Sequence, residues 1–256
     1  MCLVLLAVGV CPSLPLVVAA NRDEFHARPS AAAHRWPGPA GLVAGRDLEA
    51  GGTWLGADTR GRFAAVTNVS EVPATGDFRS RGELVPGFLE GDGDARRYAG
   101  TIDDAAYRGF NLLLWDGETL LYHSNRFPAR ALEAGVHAVA NAGLDEARFK
   151  VERSRAGLAA ALAGTGEGGG SGFLEASLFD LLADRCLPAS PERRVVAGLS
   201  AEEAAALAAP FIVGERYGTR ASTVVLVGKR RVTLAEQRFA PGGVAAGSDR
   251  LLLDRG

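Results

Sequence analysis

Two stretches within the first 25 residues carry side chains that could do chemistry. Cys2 directly follows Met1, and a polar tetrapeptide, Asn21-Arg22-Asp23-Glu24, ends a long uncharged run. The initiator methionine is normally trimmed when the next residue is small, and Cys qualifies. Trimming would leave Cys2 with a thiol and a free α-amine, whose ordinary pKa of about 7.7–8.0 keeps a useful fraction neutral near pH 7. A neutral amine can accept the thiol proton directly or through a water, and the thiolate can then attack an acyl carbon. The resulting oxyanion needs donors, which Asn side chains or backbone N–H groups can supply. Arg22 or Arg220 beside the sulfur would favour the thiolate. A small apolar residue at a strand start equally needs no catalytic reason. Cys11 and Cys186 have no argument beyond a place in the core.

The elements that must position these groups follow from the run itself. Residues 2–20 carry no charge, a length that could span a bilayer or pass for a secretory signal. No basic segment precedes the run, and Pro12 and Pro15 cut it into two pieces of strand length rich in Val and Leu. The pattern predicts a buried β-hairpin with strands over 2–10 and 16–21 and a turn at 11–15. Alternation then puts Asn21 and Asp23 on one face of the second strand, Arg22 and Glu24 on the other, all close to Cys2.

Composition narrows the class. The chain has 256 residues, 47% of them hydrophobic, enough for one large domain or two modest ones. Its 28 basic and 30 acidic residues give a net charge of -2 without a basic stripe, so neither nucleic acid nor an anionic membrane surface is an expected partner. Three cysteines are too few and odd in number for a disulfide framework, which fits a reducing, cytoplasmic compartment. His26, His34, His123 and His137 form no metal-binding spacing, so no metal and no cofactor are expected. The oligomeric state is not legible.

Further along, 25–39 reads as an irregular crossing with three prolines, followed by short strands over 42–46, 53–57 and 62–69. Gly51-Gly52-Thr53-Trp54-Leu55-Gly56 joins two of them, with Trp54 either a core residue or a ligand contact. Asn68 ends the third strand, either closing an Asx-turn or offering an amide to an oxyanion. Ser80 and Glu83 have capping-box spacing ahead of a helix that Pro86 shortens or bends. A short helix is expected over 94–101, a hairpin over 109–124 and a strand over 136–141 that again ends in an Asn, Asn141. Helices follow over 147–163, 173–183 and 201–209, the last capped by Ser200 with Glu203, after a Gly-rich linker over 164–172. A final hairpin pairs 224–227 with 232–239. Hairpins with helices in blocks indicate an α+β fold with antiparallel sheets.

These residues, in order, resemble a family. Met1-Cys2, Asn21-Arg22-Asp23-Glu24, Gly51-Gly52-Thr53-Trp54-Leu55-Gly56, Thr67-Asn68, Ser80-Arg81-Gly82, Gly109-Phe110-Asn111-Leu112 and Tyr217-Gly218-Thr219-Arg220 resemble the NRDE family, also called the transport and Golgi organisation protein 2 family. The resemblance implies one family domain over 1–256. It implies a four-layer αββα sandwich with two antiparallel sheets, similar to the choloylglycine hydrolase and penicillin V acylase group. By position Cys2 would be the nucleophile, Asp23 the carboxylate orienting the amine, Asn141 and Asn68 the amides, and Arg220 the late Arg. Asn21, Arg22, Glu24, Trp54 and Asn68 are then the candidate ligand contacts. Those hydrolases place an Arg a few residues before the Asp. Here Ala20 lies there instead, and Arg22 adjoins Asp23. Two functions follow as expectations: a cysteine amidohydrolase or acyl-transfer protein acting on a small amide or thioester, or a non-enzymatic carrier of acyl-CoA, haem or another amphipathic ligand. Roles in haem trafficking and acyl-CoA metabolism have been proposed for relatives. For haem, Cys2, His26 or His34 could be axial ligands, although no haem signature includes Cys2.

Overall fold

The computed structural model describes residues 2–38, 40–71, 75–164, 171–190 and 199–255. The chain opens with β1 (Cys2–Cys11), β2 (Leu14–Phe25), β3 (Ser30–Arg35), β4 (Val43–Asp47), β5 (Leu55–Ala57) and β6 (Phe63–Asn68). Helices α1 (Leu84–Glu90) and α2 (Ala95–Ala99) come next, then β7 (Phe110–Trp115), β8 (Leu120–Ser124), β9 (Arg130–Leu132) and β10 (Gly135–Val139). After α3 (Phe149–Ala163), α4 (Ser171–Leu182) and α5 (Ala201–Ala206), the described chain closes with β11 (Tyr217–Val227), β12 (Arg231–Ala240) and β13 (Val244–Asp254). One antiparallel sheet has the order β10-β1-β2-β11-β12-β13, the other β3-β4-β5-β6-β7-β8-β9.

Strand alternation builds the four expected layers. Even-numbered residues of β1 and β2, such as Val4, Leu6, Val18 and Ala20, pack between the sheets against Phe63, Leu113 and Tyr122. Odd-numbered residues, such as Leu3, Leu5, Val17 and Ala19, pack outward against Val151 and Leu158 of α3 and Leu174 and Leu178 of α4. On the far side Ala64, Leu112 and Leu114 pack against Leu84, Val85 and Phe88 of α1. No helix among the described residues is long and apolar enough to cross a membrane, and the uncharged run is the β1–β2 hairpin.

Several elements differ from expectation for identifiable reasons. β2 begins at Leu14 and continues through the tetrapeptide to Phe25. Pro15 is tolerated because it falls at a register shift of the β1–β2 ladder, between the Leu14–Cys11 and Leu16–Val8 pairs. The segment expected to be irregular contains β3, an edge strand framed by Pro29 and Pro37 rather than interrupted by them. The capping box at Ser80 does not form: the Glu83 N–H donates to the Ser80 carbonyl at 3.2 Å, and the Glu83 carboxylate is engaged by the Tyr107 hydroxyl at 2.6 Å and by Arg79 at 2.7 Å. The capping box at Ser200 and Glu203 forms as expected. Cys11 is half-buried and Cys186 exposed, so neither is a core cysteine. Residues 165–170 of the expected linker lie outside the described residues.

Candidate active site

Cys2 is the first residue of β1, and its cross-strand partner is Arg22. Cross-strand partners share a face, so both side chains enter the space between the sheets, where they line a cleft of about 570 Å³. The backbone N–H of Asp23 donates to the Cys2 sulfur; burial nevertheless pushes the thiol pKa up, aided by the Asp23 charge and opposed by Arg22.

Arg22 is only 5% exposed. Its guanidinium lies 4.3 Å from the Trp54 ring centroid, 3.7 Å from Asp47 and 4.0 Å from Glu24. Its Nη1 is buried with no hydrogen-bond partner among the described residues. Asp47 is fixed from the other side by Arg28 at 2.7 Å. Burial alone would raise the Asp47 pKa, but Arg28 and the N–H groups of Ala50 and Glu49 outweigh it and hold the carboxyl below its ordinary value.

Two glycine-bearing stretches make the opposite wall. The Thr53 N–H donates to the Gly82 carbonyl at 3.0 Å, and a Cβ on Gly52 would lie 2.4 Å from that carbonyl. Gly51-Gly52-Thr53-Trp54 and Ser80-Arg81-Gly82 are therefore one packed unit, with Trp54 and Arg81 on its cleft side. Gly45 admits the Trp54 ring, which a Cβ there would meet at 2.4 Å. The Arg81 Nη1 donates to the Gly109 carbonyl at 3.0 Å. Burial, then the neighbouring charge of Arg108, lower the Arg81 pKa.

Asn21 and Asp23 point the other way, towards the helices. The Asn21 amide donates to the carbonyls of Leu182 and Pro210, each at 2.9 Å, and accepts from the Ser222 hydroxyl at 2.6 Å. Asn21 thus straps β2 to the end of α4 and to β11, and it is not among the residues lining the Cys2 cleft. Asn21→Leu leaves two buried carbonyls and a hydroxyl unsatisfied, at about 1–3 kcal/mol for each orphaned group. We expect a loss of about 3 kcal/mol in urea denaturation; a loss below about 0.5 kcal/mol would contradict the strap. Asp23 accepts from the Thr219 hydroxyl at 2.7 Å, and its other oxygen lies 3.9 Å from Lys150 Nζ. Burial raises its pKa and the Lys150 charge opposes the rise.

The remaining expected site residues are dispersed. Asn141, just beyond β10, donates to the Asn68 backbone carbonyl at 2.7 Å and lines a separate pocket of about 190 Å³ together with Lys150. Its Oδ1 is buried without a partner among the described residues. The Asn68 side chain is exposed and lines the Cys2 cleft, so Asn68 is the amide nearer the thiol's surroundings. Arg220 lies at a bulge in the β11–β2 ladder, between Thr219 and Ala221. Its Nη1 donates to the carbonyls of Phe25 at 3.0 Å, His26 at 3.3 Å and Arg28 at 2.9 Å. It braces the loop after β2 and lines an adjoining pocket of about 340 Å³ instead of the Cys2 cleft.

The sequence profile of the Transport and Golgi organisation 2 family matches residues 1–241. The chain belongs to this family. Members similar to it include the mouse Transport and Golgi organization 2 homolog and the human Transport and Golgi organization protein 2 homolog, each 39% identical over 142 residues. Those alignments cover 51% of this chain and 51% of each relative, so the chain spans about half the length of the curated relatives it matches. Two solved structures share the fold. The C2A mutant of conjugated bile acid hydrolase from Clostridium perfringens aligns with a TM-score of 0.55 at 7% identity, covering 98% of this chain and 92% of that one. A Caenorhabditis elegans ortholog of N-acylethanolamine-hydrolyzing acid amidase aligns at 0.50 and 10% identity, covering 89% and 93%. The fold of this Transport and Golgi organisation 2 family member is thus the N-terminal-nucleophile hydrolase-like αββα sandwich.

Within the family chain, the first sheet brings together Cys2, Arg22, Asp23 and Glu24, and the second sheet adds Trp54 and Asn68. Asn141 and Arg220 are not among the residues lining that cleft. Reading single residues missed Arg81 and Lys150. Arg81 was visible only as the centre of the Ser80-Arg81-Gly82 motif; Lys150 had no local signal at all. No group of three or more His, Cys, Asp or Glu among the described residues could hold a metal ion.

Proposed function

We propose that the chain is an N-terminal-cysteine amidohydrolase or acyl-transfer protein acting on a small amide or thioester. The observation that carries this reading is the cross-strand pairing of Cys2 with the buried Arg22 on one cleft. Removal of Met1 frees the α-amine, which takes the thiol proton. The sulfur attacks the acyl carbon, and the C–N or C–S bond breaks as the ammonium returns its proton to the leaving amine or thiol. Water, or a second nucleophile, then releases the acyl group from sulfur. Arg22 favours the thiolate, Asp23 holds the amine from the far face, and the Asn68 amide is the oxyanion donor on the cleft wall. The wall is largely guanidinium and carboxylate, which suits a short polar acyl group better than a long alkyl chain.

The test is alkylation with a mild electrophile across pH 5 to 9, read on the N-terminal peptide by mass spectrometry against denatured protein. The expected result is loss of Met1 and a Cys2 rate above that of the unfolded chain at pH 7, rising as the amine loses its proton at about pH 7.7–8.0. Retained Met1, or a Cys2 no faster than in the unfolded chain, removes the base and turns the reading to a carrier that binds its ligand without turnover.

A further inference from the structure

Only two of the chain's 28 basic residues are lysines, Lys150 and Lys229. Lys150 is in a poor place for a cation. It is the second residue of α3, where the helix dipole disfavours positive charge, and it is 5% exposed. Its neighbour Val151 packs into the apolar layer under the first sheet. A buried ammonium at a helix start costs several kcal/mol unless a partner offsets it. The partner is Asp23, 3.9 Å away and itself fully buried on the helix-facing side of β2, directly behind the cleft that holds Cys2. The pair can be read as structural, but a Leu at 150 with an apolar residue at 23 would serve packing as well.

We propose that Lys150 is a positioning residue that keeps Asp23 ionised and aimed, so that Asp23 can hold the free amine of Cys2. This rests on the amidohydrolase reading. The groups around Asp23 include the Thr219 hydroxyl, which donates to Oδ1, the Tyr217 hydroxyl, which donates to its backbone carbonyl, Arg22 beside it on β2, Cys2 on β1, and Lys150, which reaches it from α3. Thr219 fixes one oxygen, and Lys150 is the helix-side cation beside the other. An ionised Asp23 accepts from the amine. A protonated one can donate to it instead and occupy the lone pair that must take the thiol proton. A lysine suits this role because its ammonium is a compact point charge that fits behind a single oxygen.

The experiment is the pH profile of Cys2 alkylation in wild type, Lys150→Met, Lys150→Arg, Asp23→Asn and the double variant Asp23→Asn/Lys150→Met, each checked for folding by circular dichroism. Lys150→Met is expected to add a second inflection on the acid side and to slow Cys2 several-fold at pH 6, because loss of the neighbouring ammonium raises the Asp23 pKa further. Lys150→Arg is expected to restore the single inflection. The double variant, which removes both members of the buried pair, is expected to match Asp23→Asn at every pH. That comparison still decides the matter if Lys150→Met alone does not fold. A folded Lys150→Met with the wild-type profile, or a double variant that departs from Asp23→Asn, overturns the inference. If wild-type Cys2 reacts no faster than in the unfolded chain, the amidohydrolase reading fails first. A reactive wild type with an indifferent Lys150→Met defeats the role of Lys150 alone.

Discussion

Cys2→Ser is expected to reduce turnover of a short-chain acyl anilide or acyl thioester by about four orders of magnitude or more, with melting temperature almost unchanged. Loss of a nucleophile that acts together with its base removes nearly all of the covalent route. A hydroxyl is a far weaker acid than a thiol, so an amine with a pKa of about 8 leaves it almost entirely protonated. The fold should tolerate the exchange, since Cys2 is half-buried at the start of β1 and its strand pairing to Arg22 is through the backbone. Steady-state kinetics with intact-protein mass spectrometry checks both halves: wild type should carry a trapped acyl group on the N-terminal peptide, and the variant none. Wild-type turnover by Cys2→Ser or Cys2→Ala would end the nucleophile assignment.

The largest stability effect is expected at Asp58, in the connection between β5 and β6. Its carboxylate is fully buried and accepts from the N–H and Nε of Arg60, each at 3.0 Å, and from the N–H and Nε of Arg62, at 2.9 Å and 2.8 Å. Arg62 is also buried, lies 4.9 Å from the Phe88 ring centroid and donates to the Leu89 carbonyl at the end of α1. Asp58→Ala takes the acceptor away from the buried N–H and guanidinium of Arg62, a loss of about 3–5 kcal/mol in urea denaturation at pH 7. Adding Arg62→Leu should recover much of it. Burial pushes Asp58 up to about 6. The folded state therefore holds this proton more tightly than the unfolded chain. The stability margin of wild type over Asp58→Ala should be widest below about pH 4 and narrow as pH rises through about 6. A margin that instead widens over that range would show Asp58 to be an ordinary low-pKa carboxylate.

Residues with strong periodicity announced their places. The two prolines split the uncharged run into a hairpin, and alternation correctly divided Asn21 and Asp23 from Arg22 and Glu24. Ser200 and Glu203 behaved as local chemistry dictates. What failed depended on distant partners. The capping box at Ser80 gave way because Tyr107 and Arg79 hold the Glu83 carboxylate and the Glu83 N–H turns to the Ser80 carbonyl. β13 went unread because it is a mostly exposed edge strand in which apolar and polar residues come in blocks instead of alternating. Arg220 follows the motif in sequence, but a one-residue bulge turns it towards three carbonyls, and bulges leave no mark in a single sequence. Lys150 on a helix reads as a solvated charge until α3 is docked over Asp23.

Strand β2 is a two-sided component whose sides cannot trade places. A single-residue insertion or deletion between Leu16 and Ala20 would shift the tetrapeptide by one pleat and exchange its two pairs. The cleft would then receive an amide and a carboxylate where it now has a guanidinium against Trp54. The helix layer would have to bury that guanidinium and the longer carboxylate of Glu24 beside Lys150, in the space that now holds one short amide and one short carboxylate. Length across this strand is therefore under tighter constraint than the identity of any one of its apolar residues.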